Sequence, residues 1–67
     1  MAGVSARTLC RALEREGYIF QRQKGSHRIY YREHDKRRVT VPMHTGDLPE
    51  STLRSILKQS GLSSRDL

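Results

Sequence analysis

Two stretches with helical apolar spacing bracket a middle third that alternates as strands do, and this limits the fold more than any other feature of the chain. Ala6, Leu9, Cys10 and Leu13 recur at intervals of three and four, while Arg7, Arg11, Glu14 and Arg15 turn mostly outward. Ser5 is placed as the N-cap, Val4 and Leu9 occupy the two positions of a hydrophobic staple, and Gly17 supplies a left-handed stop, so a first helix is expected over 4–17. Leu53, Ile56, Leu57 and Ser60 form the apolar face of a second helix. Asp47 and Glu50 stand at capping-box spacing ahead of it with Pro49 in the first turn, and Gly61 with Leu62 suits a Schellman closure. Residues 63–67 have the makings of one more helical turn.

Between the helices, 18–23 reads as a strand, Lys24-Gly25 as a turn, 26–33 as a second strand and 38–43 as a third, with Val39 and Val41 alternating against Thr40. Pro42 cannot donate to a ladder, so the third strand lies at an edge or ends there. Two amphipathic helices have only the sheet to bury against, and both must cover the same face. The expected fold is α+β, one domain over 1–67, in the order α-β-β-β-α. It holds a three-stranded antiparallel sheet, with the opposite face left open. Alternation alone does not say whether Tyr30 or Tyr31 points toward the helices.

A 67-residue chain buries only about 60% of its unfolded surface, so a partner or a homodimer is physically attractive. One cysteine and no metal-ligand spacing give neither a disulfide nor a metal to prop the core, and no cofactor is expected. Cys10 reads as a small helix residue half in the core, and a free thiol suits a reducing cytoplasm. The start Met1-Ala2-Gly3-Val4 does not read as a signal peptide, and no apolar run approaches the roughly 20 residues of a membrane span.

Thirteen lysines and arginines stand against seven acids, and the distribution matters more than the total. Residues 21–38 hold seven cations (Arg22, Lys24, Arg28, Arg32, Lys36, Arg37 and Arg38) against Glu33 and Asp35, which is +5 of the net +6. Such a concentration points to nucleic acid or an acidic partner. Inside it, Gln23-Lys24-Gly25-Ser26-His27-Arg28 sets one imidazole after a glycine turn and among cations. Imidazole moves protons near neutral pH, and flanking cations suit a phosphodiester.

The segments Gly25-Ser26-His27-x-Ile29-Tyr30, Arg37-Arg38-Val39-Thr40-Val41-Pro42, Asp47-Leu48-Pro49 and Thr52-Leu53-Arg54-Ser55-Ile56-Leu57-Lys58-Gln59-x-Gly61 resemble the HicA toxins, in the same order, from about Ser5 to Leu62. The resemblance implies a small bacterial or archaeal cytoplasmic ribonuclease with a fold like the double-stranded-RNA-binding domain. Such a protein cuts messenger RNA as an mRNA interferase and is neutralised by a HicB antitoxin, with a homodimer or a hetero-oligomer with the antitoxin as the expected assemblies. It also implies that His27 matches the catalytic histidine, with Gly25 and Ser26 positioning the turn. Where the family often has Asp-Gly in the second hairpin, this chain has Asp35-Lys36.

Metal-free RNA cleavage needs a base for the 2′-hydroxyl and cations for the phosphoryl oxygens. His27 is the expected base, Lys24 and Arg28 the expected phosphate contacts, and Arg22 and Arg32 positioning contacts. A hairpin centred on Asp35-Lys36 would set His44 directly opposite His27, Cβ atoms ~5 Å apart, as a second acid or base. A one-residue slip would separate the two rings. His34 is expected at the hairpin tip, in solvent. Tyr18, Phe20, Tyr30 and Tyr31 could stack on bases, though the core needs several of them. Two rival readings are a non-catalytic RNA-binding module of the same element order and a protein-interaction module docking an acidic partner. The first is weakened by Asp47 and Glu50 at the start of the second helix, where negative charge repels phosphate.

Overall fold

The computed structural model describes residues 3–67; Met1 and Ala2, part of the expected non-signal start, lie outside the described residues. The elements are α1 (Ala6–Arg15), β1 (Ile19–Lys24), β2 (His27–Arg32), β3 (Arg37–Pro42), α2 (Glu50–Ser60) and a short 3-10 turn (Ser64–Asp66). The strands pair antiparallel in the order β1-β2-β3, so β2 is central and the other two are edges. The α+β order is the expected one, and it is consistent with a double-stranded-RNA-binding-like arrangement.

Each helix is set by short-range chemistry and then buried. The Ser5 Oγ accepts the Thr8 backbone N–H at 3.1 Å, closing the start of α1, and Val4 packs on the core beside it. Ala6, Leu9, Cys10, Ala12 and Leu13 are buried, so the apolar stripe faces the sheet as its spacing requires. Cys10 is free, with its Sγ 3.8 Å from the Met43 Sδ. α2 starts later than its acids suggest. Its N-cap is Pro49, with no side-chain cap, and the Asp47–Glu50 box does not form. Leu48 precedes a proline and is kept extended, so it cannot be helical. Its N–H donates instead to the Val4 carbonyl at 2.7 Å, and Asp47 bridges to Ser5. Gly61 ends α2 at φ +77° and donates to the Leu57 carbonyl, with Leu62 buried next to it. The final turn carries its own reciprocal cap between Ser63 and Asp66, and the Arg15 guanidinium donates to the Asp66 carbonyl at 2.8 Å.

The inward face of the sheet is now defined. Tyr30, Val39 and Val41 are fully buried, and with Leu9, Leu13 and Leu53 they make the centre of the core. Val39 sits opposite Tyr30 and Val41 opposite Arg28, so Arg28, Tyr30 and Arg32 point toward the helices. Tyr31 and His27 therefore point the other way. β1 departs from regular pairing at a bulge between Phe20 and Arg22, and none of its six residues is buried.

One end of the fold is tied together by Arg32. Its guanidinium donates to Asp35 Oδ2 at 2.8 Å and Oδ1 at 3.1 Å, and to the Glu16 carbonyl at 2.8 Å, while lying 4.5 Å from the Tyr18 ring centroid. Tyr18 in turn donates to the Ser60 carbonyl at 2.8 Å, and Arg37 donates to the Gln59 carbonyl, so the last turn of α2 is fastened to the sheet. The Arg32 hydrogen bonds hold the Asp35 carboxyl down at about 2. Because the folded value lies below the unfolded one, near 3.9, the stabilisation is present above that pH and is lost as pH falls through about 2. Asp35→Asn is expected to lower Tm at pH 7, with the gap from wild type closing as melts are repeated from pH 5 down to pH 2. A gap that stays constant with pH would contradict the assignment.

Candidate active site

The turn that presents His27 is a two-residue hairpin loop, Gly25-Ser26, rather than one centred on Lys24-Gly25. Lys24 pairs with His27 across it. Gly25 has φ +60° and Ser26 is not left-handed, the signature of a type II′ turn with glycine in its first central position. A Cβ on Gly25 would meet nothing within 4 Å, so the glycine is required by backbone conformation and not by crowding. Two bonds hold the turn: Gln23 Nε2 donates to the Gly25 carbonyl at 3.1 Å, and the Met43 N–H donates to the Ser26 carbonyl at 2.6 Å. Gly25 and Ser26 are the two central residues of the turn, and His27 emerges exposed at the first position of β2.

Directly opposite residues share a face, which makes the open side legible from register. The first row there is Lys24, His27 and Pro42; the next is Arg22, Ile29 and Thr40; the third is Ile19, Tyr31 and Arg38. The core lies under the other side, and α2 borders this one at its β3 edge, where Thr52, Ser55 and Gln59 line a depression with Arg38, Thr40 and Pro42. Lys24 lies across from His27 with Cβ atoms ~5 Å apart, and Arg22 lies one row further along the same strand. Gln21, in the bulge, accepts from Arg38 Nε at 3.2 Å, which lays the Arg38 guanidinium toward β1. Three cations and one histidine therefore occupy one uncovered surface, and its carboxylate, Glu33, is beyond the last row and bound to Lys36 at 2.7 Å.

Two of the expected phosphate contacts are elsewhere. Successive strand residues alternate, so Arg28, next to His27 in sequence, lies on the helix side. Its guanidinium carbon is 5.7 Å from the Phe20 ring centroid, its Nε is buried without a hydrogen-bond partner, and its pKa is raised chiefly by the adjoining Tyr30 hydroxyl. Arg32 shares that side and is committed to Asp35, Glu16 and Tyr18. Burial is the main cause of the raised pKa of the Tyr30 phenol, whose Oη donates to Glu14 Oε2 at 3.2 Å.

His44 does not face His27; the residue opposite His27 is Pro42. The hairpin loop is four residues long, 33–36, with Lys36 at φ +57° and its N–H donating to the Glu33 carbonyl at 3.3 Å. That places the hairpin two residues out of the register centred on Asp35-Lys36. His44 lies past the end of β3 and lines a shallow depression with Ser5, Ala6, Arg7 and Met43 at the start of α1. His34 is exposed in the 33–36 loop, as expected. Alternation alone distinguishes neither Arg38 from the other cations nor the facing of Tyr31. Their shared face with His27 follows from parity once the β2–β3 register is known.

Residues 6–62 match the family model described as the HicA toxin of bacterial toxin–antitoxin. The chain belongs to the HicA toxin family. The match spans the whole of α1 through α2, including His27, its turn and the cations of the open face. No curated protein matches the chain significantly. Members of the HicA family are generally RNase-type toxins, and membership implies an antitoxin partner. Among the described residues, no helix of this HicA-family chain is long and apolar enough to cross a membrane.

Proposed function

We propose that this HicA-family toxin is a metal-independent endoribonuclease of the cytoplasm that cleaves messenger RNA, with His27 as the catalytic base, and that a HicB-type antitoxin neutralises it. The observation that carries the reading is the open face: an exposed imidazole at a rigid turn, opposite Lys24 and one row from Arg22, on the side away from the core. A neutral imidazole there takes the proton of a substrate 2′-hydroxyl. The 2′ oxygen then bonds to the adjacent phosphorus as the P–O5′ bond breaks, leaving a 2′,3′-cyclic phosphate and a 5′-hydroxyl whose proton comes from water. Lys24 and Arg22 sit where they can offset the charge on the phosphoryl oxygens. Arg28 and Arg32, expected beside the phosphate, serve the helix side of the sheet in this account.

The same cations give an antitoxin its target. A protein that covers His27 and pairs acids with Arg22 and Lys24 blocks substrate and base together. The double charge reversal Arg22→Glu/Lys24→Glu is expected to raise KM for RNA more than tenfold and to weaken antitoxin binding, with both effects shrinking in added salt. Kinetics and calorimetry at two salt concentrations check this; a variant that binds antitoxin as tightly as wild type would separate the two roles. A duplex-RNA-binding module is disfavoured by the start of α2, where Pro49 caps the helix and Glu50 adds negative charge to its first turn.

A further inference from the structure

The open face continues well past the catalytic row, and its far end has a composition of its own. Tyr31 is the aromatic residue of that face: Tyr18, Phe20 and Tyr30 all belong to the helix side. It shares the third row with Ile19, which is 69% exposed, and with Arg38, whose guanidinium carbon lies 5.3 Å from the Tyr31 ring centroid. The arginine is held in place from its other side by the Gln21 amide. Tyr31 Oη donates to Glu33 at 3.2 Å, which fixes the ring from its far edge. An exposed isoleucine beside a pinned ring and a flat guanidinium offers a flat, partly apolar surface with a cation at its side.

Two shallow depressions meet at Gln21. One, of about 370 Å³, is lined by Gln21, Arg22 and Arg38; the other, of about 410 Å³, by Ile19, Phe20, Gln21, Tyr31 and Glu33. Of the strand-paired residues that line them, all but Phe20 lie on the side that carries His27. Four residue steps along the strand carry His27 to Tyr31, a span of ~13 Å, and Arg22 stands in the row between them. Cation, then aromatic and guanidinium, in line on an uncovered sheet, is the layout that tracks a single-stranded backbone and stacks its bases.

We propose that Tyr31, Arg38 and Ile19 form a nucleobase subsite for a nucleotide flanking the scissile phosphate, with Arg22 guiding the backbone between that subsite and His27. The inference rests on the proposed ribonuclease reading and adds to it a substrate requirement: a single-stranded RNA long enough to reach from the first row to the third. A dinucleotide fits at His27 alone; an octanucleotide fills both places. Because the platform offers a π-face and a guanidinium plane, it accepts any base in preference to an abasic position.

The test compares wild type, Tyr31→Ala, Tyr31→Phe and Arg38→Gln on an RNA dinucleotide and on an octanucleotide, by cleavage kinetics and by anisotropy with a 2′-O-methyl octanucleotide that cannot be cut. Tyr31→Ala is expected to lower the octamer-to-dinucleotide ratio of kcat/KM about tenfold, through KM, as loss of one stacked base implies. Tyr31→Phe keeps the ratio near wild type, and Arg38→Gln lowers it. Replacing one base of the octamer by an abasic site should reproduce the Tyr31→Ala loss in wild type and add little in the variant. An unchanged ratio in Tyr31→Ala, or equal losses on both substrates, overturns the subsite. If wild type cuts neither RNA, the ribonuclease reading falls separately; the subsite then stands only if Tyr31→Ala still weakens binding of the uncut octamer, and falls if it does not.

Discussion

His27→Ala is expected to fold as wild type does and to lose RNA cleavage by about 10²–10⁴-fold, the range that a well-placed general base contributes. The folding half of that expectation comes from position. His27 is exposed at the mouth of β2, and the turn before it is held by the Gln23 and Met43 bonds, none of which uses the imidazole. Far-ultraviolet circular dichroism and a thermal melt should therefore superimpose on wild type, and binding to the antitoxin should survive. His27→Gln is the stricter variant, since it keeps a hydrogen-bonding side chain and removes only proton transfer. A folded His27→Gln protein that cleaves RNA at the wild-type rate would remove the catalytic assignment. An unfolded one would mean that His27 does structural service that its exposure conceals.

The largest effect on stability is expected at Tyr30. It is the largest fully buried side chain, it lies on the central strand, and Val39 is its partner across β2–β3. Truncating a buried aromatic to alanine costs roughly 3–5 kcal/mol. A domain of this size holds on the order of 3–10 kcal/mol in total, at about 0.05–0.15 per residue. Tyr30→Ala should therefore be largely unfolded at 37 °C, which urea titration and circular dichroism will show. Tyr30→Phe keeps the packing and loses the bond to Glu14, at about 1 kcal/mol. It also changes the alkaline limb. Burial raises the folded-state pKa of the phenol above its ordinary value of 10.0, so its contribution is complete below about pH 10 and fades as pH climbs beyond. Tyr30→Phe should lose less stability than wild type between pH 9 and 11, with Tyr18, also raised mainly by burial, accounting for sensitivity that remains.

How much of this was legible beforehand depends on how local the determining physics is. Ser5 as a cap, the Ala6-Leu9-Cys10-Leu13 stripe, Gly61 as a left-handed stop and the element order all follow from short-range chemistry, and all are present in the fold. Leu48-Pro49 was readable too, since a residue before proline resists the helical region, but the acid spacing of Asp47 and Glu50 competed with it. Facing and register are a different matter. Tyr30 and Tyr31 are near-equal candidates for the core, and packing under α1 decides between them. The β2–β3 register depends on the length of the loop between the strands. It has four residues, 33–36, with Lys36 left-handed and the Arg32–Asp35 bond beside it, and that sets Pro42 rather than His44 opposite His27.

For the site, the consequence is a redistribution of the cations rather than their loss. Lys24 and Arg22 stayed with His27, while Arg28 and Arg32, adjacent or nearby in sequence, went to the other face by parity alone. Arg38, distant in sequence, joined His27's side. Sequence proximity was thus a poor guide to which charges a phosphate would meet, and strand pairing a good one.

The most direct test of the central claim is end-group analysis of single-stranded RNA incubated with purified protein in excess chelator. Chelator-resistant cutting by wild type that leaves 2′,3′-cyclic phosphate and 5′-hydroxyl ends is expected, slowed about 10²–10⁴-fold in His27→Ala. Products with 5′-phosphate ends, cleavage that requires added divalent metal, or equal cutting by His27→Ala would contradict it.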